Sequence, residues 1–173
     1  MDKMKIQTTN FENSIKNNLN SIPLILIHGP NQSKIRNKCD QAVELLCGGS
    51  AVEEMRVNKL NESLLLKDPQ KIFEKLKTVG FFPGRQALII ENATDKLTKI
   101  ITDALISWSK ADPTIILLSG SLKTNSSLRK MVEKHPIASC FAFYEEQLET
   151  KEVEKIISSL NFKIDDQNIM KFL

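Results

Sequence analysis

Cysteine and histidine are scarce in this sequence, which has three cysteines and two histidines among 173 residues. The cysteines, Cys39, Cys47 and Cys140, are odd in number and not closely paired, which argues against a disulfide framework. His28 and His135 form no cluster of metal-ligand spacing with them, so we expect no metal site. The three thiols are therefore predicted to be structural, since a free cysteine packs as a small apolar side chain.

Long apolar runs are absent as well. A membrane helix needs about 20 consecutive, mostly apolar residues, and the sequence has no run that approaches this length. Residues 1–16 are polar and contain no apolar core of a signal peptide. We accordingly expect a cytoplasmic protein without a membrane partner.

Charge of one sign is not concentrated anywhere, because 24 basic and 21 acidic residues give a formal net charge of only +3. The sequence has no block of five or more basic residues, so it offers no basic tail for nucleic acid. The hydrophobic share of 41% and the charged share of 26% are ordinary for a globular chain. At this length they predict one domain, with room for a fragment of a second.

The chain also lacks the residues that bind nucleotide phosphates, although it has the unit that usually carries them. An apolar, β-rich run ends at Ile27, a turn begins at Gly29, and apolar residues then recur at helical spacing. A functional P-loop has a second glycine, then a lysine for the phosphates, then a serine or threonine for Mg²⁺. Counted from Gly29, these positions hold Lys34, Ile35 and Arg36. We therefore expect a degenerate P-loop, with no nucleotide cofactor, no catalytic residues and no ATPase activity.

Five apolar runs alternate with helical patterns along the chain. The predicted strands are 24–27, 55–57, 86–91, 114–118 and 138–143. The predicted helices are a short one after Thr9–Asn10, one over 35–47, one capped at Asp68, one from Asp95 to Trp108 and one over 125–135. Uninterrupted apolar strands such as Ala87–Ile90 suit a parallel sheet that is buried on both faces. The alternation predicts an α/β fold, a parallel five-stranded sheet with helices on both faces.

The pattern changes in the last part of the chain. A helix is predicted over Glu145–Leu160 without a following strand, and another begins at the capping residue Asp165. This last helix ends while apolar residues still accumulate, so it cannot bury its own apolar face. We expect an α/β domain over residues 1–143 and, over residues 144–173, the beginning of a truncated helical domain.

Four groups of segments occur in a characteristic order and spacing. They are PLILIHGP at 23–30, TVGFFPGRQALII at 78–90, LLSGSLK at 117–123 with LRK at 128–130, and LNFKID at 160–165. Together they resemble the amino-terminal part of the delta subunit of the bacterial DNA polymerase III clamp loader, over nearly the whole chain. The resemblance implies a AAA+ module, a RecA-like P-loop nucleotidase fold without a functional P-loop, followed by the start of a small helical lid domain.

The resemblance also implies a role in DNA replication. The delta subunit binds the sliding clamp, which is the beta subunit, and helps to open the ring for loading on primed DNA, while sibling subunits hydrolyse ATP. The implied partners are the sliding clamp, the other clamp-loader subunits and DNA through the assembled complex. That assembly belongs to a DNA-directed DNA polymerase, a nucleotidyltransferase, although the chain itself is not expected to be catalytic.

The clamp-binding element of the family maps onto Val79, Phe81 and Phe82, with Phe81 standing where many members carry leucine. The residues give an independent reason, since two adjacent aromatic rings between Gly80 and Pro83 cannot easily face one core. Exposed aromatic side chains beside rigid turn residues are typical anchors of interfaces. The structural alternative is that one ring closes the edge of the sheet.

Three basic residues, Lys123, Arg129 and Lys130, are candidate DNA contacts, because clamp loaders enclose primed DNA. A solvated helix face explains them more simply. Two other functions stay open from the sequence. A nucleotide-binding switch predicts tight ATP binding, and a nucleic-acid-binding module unrelated to clamps predicts a steep dependence of oligonucleotide affinity on salt.

Overall fold

The computed structural model describes residues 11–144. The strands are β1 Leu24–His28, β2 Val57–Asn61, β3 Ala87–Glu91, β4 Thr114–Ser119 and β5 Ser139–Ala142. The helices are α1 Phe11–Asn17, α2 Gln32–Cys47, α3 Glu62–Lys67, α4 Gln70–Lys77, α5 Thr98–Ser107 and α6 Ser127–Lys134, with a 3₁₀ turn over Asp95–Leu97 before α5. The strands form one all-parallel sheet in the order β2-β3-β4-β1-β5. The predicted α/β fold with five parallel strands is confirmed.

Both faces of the sheet are covered by helices. On one face, Ile25 and Ile27 of β1 pack in a buried cluster with residues of α1 and α2, including Phe11 and Ile35. On the other face, the alternate strand residues pack with side chains of α3, α4, α5 and α6. Every residue of β1 and of β4 is buried. This two-sided burial explains the uninterrupted apolar runs, since both sets of alternating side chains leave water.

The second strand differs from its prediction. It was predicted at 55–57, but β2 begins at Val57, and Met55 lies in a turn with a φ of 52°. The backbone N–H of Arg56 closes this turn on the carbonyl of Ala51 at 2.8 Å. Because β2 is an edge strand in which only Leu60 is buried, its sequence lacks the apolar run that marks the other strands.

The next two helices show how short polar residues set helix starts. Helix α3 was not predicted from the sequence; it is capped by Asn61, whose side chain accepts a hydrogen bond from the N–H of Leu64 at 2.9 Å. Helix α4 begins at Gln70 after Pro69, and the predicted capping residue Asp68 accepts a hydrogen bond from the N–H of Gln70 at 3.2 Å, one residue before the N-cap position. The predicted helix from Asp95 begins instead as a 3₁₀ turn and continues as α5.

The cysteines are packed as the sequence predicts. Cys39 and Cys47 are buried and Cys140 is half-buried, and all three are free thiols. Burial raises the pKa of Cys39 and of Cys140 to about 12 and that of Cys47 to about 11, so the thiols stay protonated at neutral pH. Within residues 11–144 the structure places no three His, Cys, Asp or Glu side chains where they could hold a metal ion.

The chain divides into two units, Met1–Phe143 and Tyr144–Leu173. The predicted lid domain lies outside the described residues, except for Tyr144, and stays a prediction. Among the described helices, none is long and apolar enough to cross a membrane.

Candidate protein-binding site

The turn between α4 and β3 carries three exposed apolar side chains, Val79, Phe81 and Phe82. We call residues Val79–Gly84 the apolar turn. Val79 is 91% exposed and Phe81 is 95% exposed, whereas Phe82 is 42% exposed. The turn precedes β3 and therefore lies at the amino-terminal ends of the parallel strands, which we call the edge where the strands begin. An almost fully exposed phenylalanine has no role in the core of the chain, so it is available to a partner.

The two aromatic rings of the turn lie against each other. The centroids of the Phe81 and Phe82 rings are 5.4 Å apart at an interplanar angle of 75°, an edge-to-face pair. Phe82 thus lies partly against Phe81 and partly in solvent. The sequence left open whether one ring closes the edge of the sheet. In the structure Phe81 stands in solvent and Phe82 is only half covered.

The helix that leads into the apolar turn is fixed at its end by Lys77. The ammonium group of Lys77 donates to the Asp112 carboxylate at 2.6 Å and to the Ser107 carbonyl at 3.0 Å. Burial alone would raise the pKa of Asp112, but hydrogen bonds from Lys77 and from Ser109 outweigh it and hold the pKa below its usual value. The carboxylate is therefore charged at neutral pH. The contact ties the end of α4 to the segment between α5 and β4.

The other end of the apolar turn is held by a buried arginine. Arg56 is 5% exposed, and its Nη1 atom donates to the carbonyl of Arg85 at 2.7 Å and to the carbonyl of Cys47 at 2.7 Å. Its Nε atom donates to the carboxylate of Glu54 at 2.6 Å. This role was missed from the sequence, where Arg56 was placed on a strand, because a single basic residue in a turn carries no local signal of such contacts.

The degenerate P-loop lies at the opposite edge of the sheet, in the β1–α2 loop, residues Gly29–Asn31. A Cβ atom on Gly29 would lie 2.0 Å from the carbonyl oxygen of Phe143, whose own N–H donates to the carbonyl of His28 at 2.8 Å. The chain that follows β5 therefore covers the first glycine directly. A side chain at position 29 would collide with this backbone, so the position requires glycine.

The start of α2 is capped by the side chain of Asn31. The side chain of Asn31 accepts from the N–H of Lys34 at 3.0 Å, and its carbonyl accepts from the N–H of Ile35 at 3.0 Å. Ile35, which stands where a P-loop has its lysine, is fully buried in the core. Arg36 is exposed and lines a shallow pocket of about 140 Å³ with Lys59, Glu91 and four other residues. The position of the P-loop lysine therefore offers no cation to a phosphate.

His28, at the end of β1, is buried. Desolvation by burial, reinforced by the nearby Arg129 cation and opposed by the Glu133 carboxylate, lowers the pKa of His28 to about 4. The imidazole is therefore neutral at pH 7.

The three candidate DNA contacts are not equivalent. Lys123 and Lys130 are exposed. Arg129 is only 11% exposed along its side chain, and its Nε atom donates to the Glu133 carboxylate at 2.7 Å. A contact with DNA phosphates would therefore fall to the two lysines, and it stays a prediction.

Comparison with known proteins identifies the fold. No family model and no curated protein matches the chain. Among solved structures, the Bacillus subtilis DNA clamp loader delta protein YqeN matches 88% of this chain and 46% of its own, at a TM-score of 0.58 and 16% identity.

Two further structures match. A DNA polymerase III gamma subunit-related protein from Thermotoga maritima matches 86% of this chain and 52% of its own, at a TM-score of 0.51 and 12% identity. The RIF2 protein of Saccharomyces cerevisiae matches 97% of this chain and 69% of its own, at a TM-score of 0.50 and 13% identity. The chain thus spans about half the length of the two bacterial structures. Its α/β domain shares the fold of the Bacillus subtilis clamp loader delta protein and of the Thermotoga maritima protein.

Proposed function

We propose that the chain is a clamp-loader subunit of the delta type, which binds the sliding clamp and helps to open the ring without hydrolysing ATP. The observation that carries the proposal is the apolar turn, where Val79 and Phe81 are 91% and 95% exposed on a segment fixed at both ends. The likeness in fold to a clamp loader delta protein supports it. Burial of an aromatic anchor in a pocket of a partner is the typical energetic centre of an interface.

The closed β1–α2 loop supports the second half of the proposal. A subunit that hydrolysed ATP would need a lysine in place of the buried Ile35 and a serine or threonine in place of Arg36. In the proposed assembly the other clamp-loader subunits supply hydrolysis. The chain reaches primed DNA through the complex, in the cytoplasm, and residues 144–173 begin a helical lid domain.

The test is the affinity of the chain for the sliding clamp of the organism that encodes it. The clamp is immobilised on a surface, and the wild-type chain is compared with Phe81→Ala. Truncation of an aromatic anchor costs about 2 kcal/mol, so we expect Kd to rise about thirtyfold. Because Phe81 is 95% exposed, the melting temperature should stay within about 2 °C of the wild-type value.

The matched control is Leu66→Ala. Leu66 is 44% exposed on α3, which follows β2 and therefore lies toward the opposite edge of the sheet. This variant should bind the clamp as the wild type does. A wild-type chain that does not bind the clamp at tens of micromolar contradicts the proposal. So does a Phe81→Ala variant that binds with unchanged Kd.

A further inference from the structure

A single arginine joins the base of the apolar turn to two other segments. The guanidinium of Arg56 makes three hydrogen bonds, to the carbonyls of Cys47 and Arg85 and to the carboxylate of Glu54, at 2.7, 2.7 and 2.6 Å. Cys47 ends α2, and Arg85 immediately follows the turn. The planar guanidinium directs its donors in fixed directions, so it holds these segments in one arrangement.

The turn also packs on the guanidinium itself. Gly84 has a φ of +121°, a conformation that other residues rarely adopt, and a Cβ atom there would lie 3.1 Å from Nη1 of Arg56. At the start of the turn, a Cβ atom on Gly80 would lie 2.8 Å from Nε2 of Gln86. The two glycines therefore allow the turn to close tightly, with Gly84 against Arg56 and Gly80 against Gln86.

We propose that Arg56 is a positioning residue for partner binding, which holds the apolar turn so that Phe81 is presented in one orientation. The inference rests on the proposed function, since it concerns the same contact with the clamp. An interface side chain that is already ordered loses less conformational entropy on binding, and affinity rises accordingly. Arg56 is 5% exposed, so it acts through the turn and does not touch the partner.

The test compares Arg56→Lys with the wild-type chain on the immobilised sliding clamp, at a temperature where both are folded by circular dichroism. Lysine keeps the charge but cannot reach both carbonyls and the carboxylate with fixed geometry. We expect Kd to rise about tenfold. Hydrogen exchange of the amides in residues 80–85 should become faster, while exchange in Leu24–His28 stays unchanged.

A double-mutant cycle separates positioning from a general loss of stability. If Arg56 acts by orienting Phe81, then Arg56→Lys in a Phe81→Ala background should weaken clamp binding by less than about twofold. A purely structural role predicts the same tenfold loss in both backgrounds, or a lower melting temperature with unchanged Kd. Either of these results overturns the inference.

Gly84→Ala provides a second variant that leaves the buried arginine in place. The added methyl group meets the guanidinium and requires a positive φ, so it should displace the turn from Arg56 and raise Kd by about tenfold as well. This variant decides the question if Arg56→Lys does not fold. If the wild type binds, Phe81→Ala loses binding and Gly84→Ala binds normally, positioning is excluded while the proposed function stands. If the wild type does not bind, the proposed function itself fails.

Discussion

The two ends of the parallel strands carry different kinds of surface. At the edge where the strands begin, the apolar turn leaves Val79 and Phe81 in solvent on a segment that Arg56 and Lys77 hold in place. At the edge where the strands end, the β1–α2 loop is covered by the backbone of Phe143, and α2 is capped by its own asparagine.

The difference shows that one fold can lose its phosphate-binding residues and still expose a surface suited to a protein partner. An anion site at the start of a helix needs unsatisfied N–H groups, and here the side chain of Asn31 takes the N–H of Lys34. A protein-binding site needs an exposed apolar side chain, and the apolar turn has two, Val79 and Phe81. We therefore propose that one edge recognises a protein and that the other gives structural support.

The largest change in the free energy of unfolding is expected when Ile35 and Phe81 are each replaced by lysine. Ile35→Lys places a lysine at the P-loop position, but this position is fully buried. We expect the buried charge to lower the free energy of unfolding by about 3–4 kcal/mol. The matched variant Phe81→Lys, at a 95% exposed position, should change stability by less than about 0.5 kcal/mol. Urea unfolding measures both free energies.

ATP titration by calorimetry completes that comparison. We expect no heat of binding up to millimolar ATP for the wild type or for Ile35→Lys, because Lys34 and Arg36 still stand where a P-loop has its second glycine and its serine or threonine. Micromolar ATP affinity in the wild type would show that the β1–α2 loop is an open nucleotide site, and would favour the nucleotide-binding switch.

A smaller effect is expected from alanine at glycines with different surroundings. Gly29→Ala places a Cβ atom 2.0 Å from a backbone oxygen, so the chain after β5 must shift, whereas a Cβ atom on Gly49 would meet nothing within 4 Å. We expect Gly29→Ala to lower the free energy of unfolding by about 2–3 kcal/mol and Gly49→Ala to change it by less than about 1 kcal/mol. Equal melting temperatures for the two variants would contradict the close packing of the β1–α2 loop.

The smallest effect is a dependence of stability on pH from His28. Its pKa is lowered from 6.5 to about 4 in the folded state, so below pH 6.5 the unfolded chain binds a proton that the folded chain does not. The free energy of unfolding is therefore highest above pH 6.5 and decreases as the pH falls toward 4. Between pH 7 and pH 5 the loss should be about 2 kcal/mol.

Urea unfolding of the wild type and of His28→Gln at both pH values isolates this contribution. The variant should lose about 2 kcal/mol less than the wild type over the same interval, because it has no titrating group at this position. Parallel losses in the two proteins would mean that His28 is as easily protonated in the folded chain as in the unfolded chain.

The alternation of apolar strands and helical patterns was enough to predict the fold, because a strand buried on both faces is apolar at every position. Leu24–Ile27 and Thr114–Leu118 are such strands, and both were placed to within a residue of their observed ends. The edge strand β2 was misplaced, since an edge strand buries few side chains and leaves little pattern to detect. Motif spacing identified Ile35 at the lysine position, and the turn residues around Phe81 singled out the aromatic pair.

The sequence by itself determined the fold class, the loss of the P-loop residues and the place of the aromatic turn, because these follow from local composition and spacing. Only the tertiary structure decided that the carbonyl of Phe143 fills the space at Gly29 and that Arg56 fixes the apolar turn. Both contacts join residues far apart in the chain, 114 positions in one case and 29 in the other. Such contacts depend on how strands and helices pack, which a local pattern does not contain.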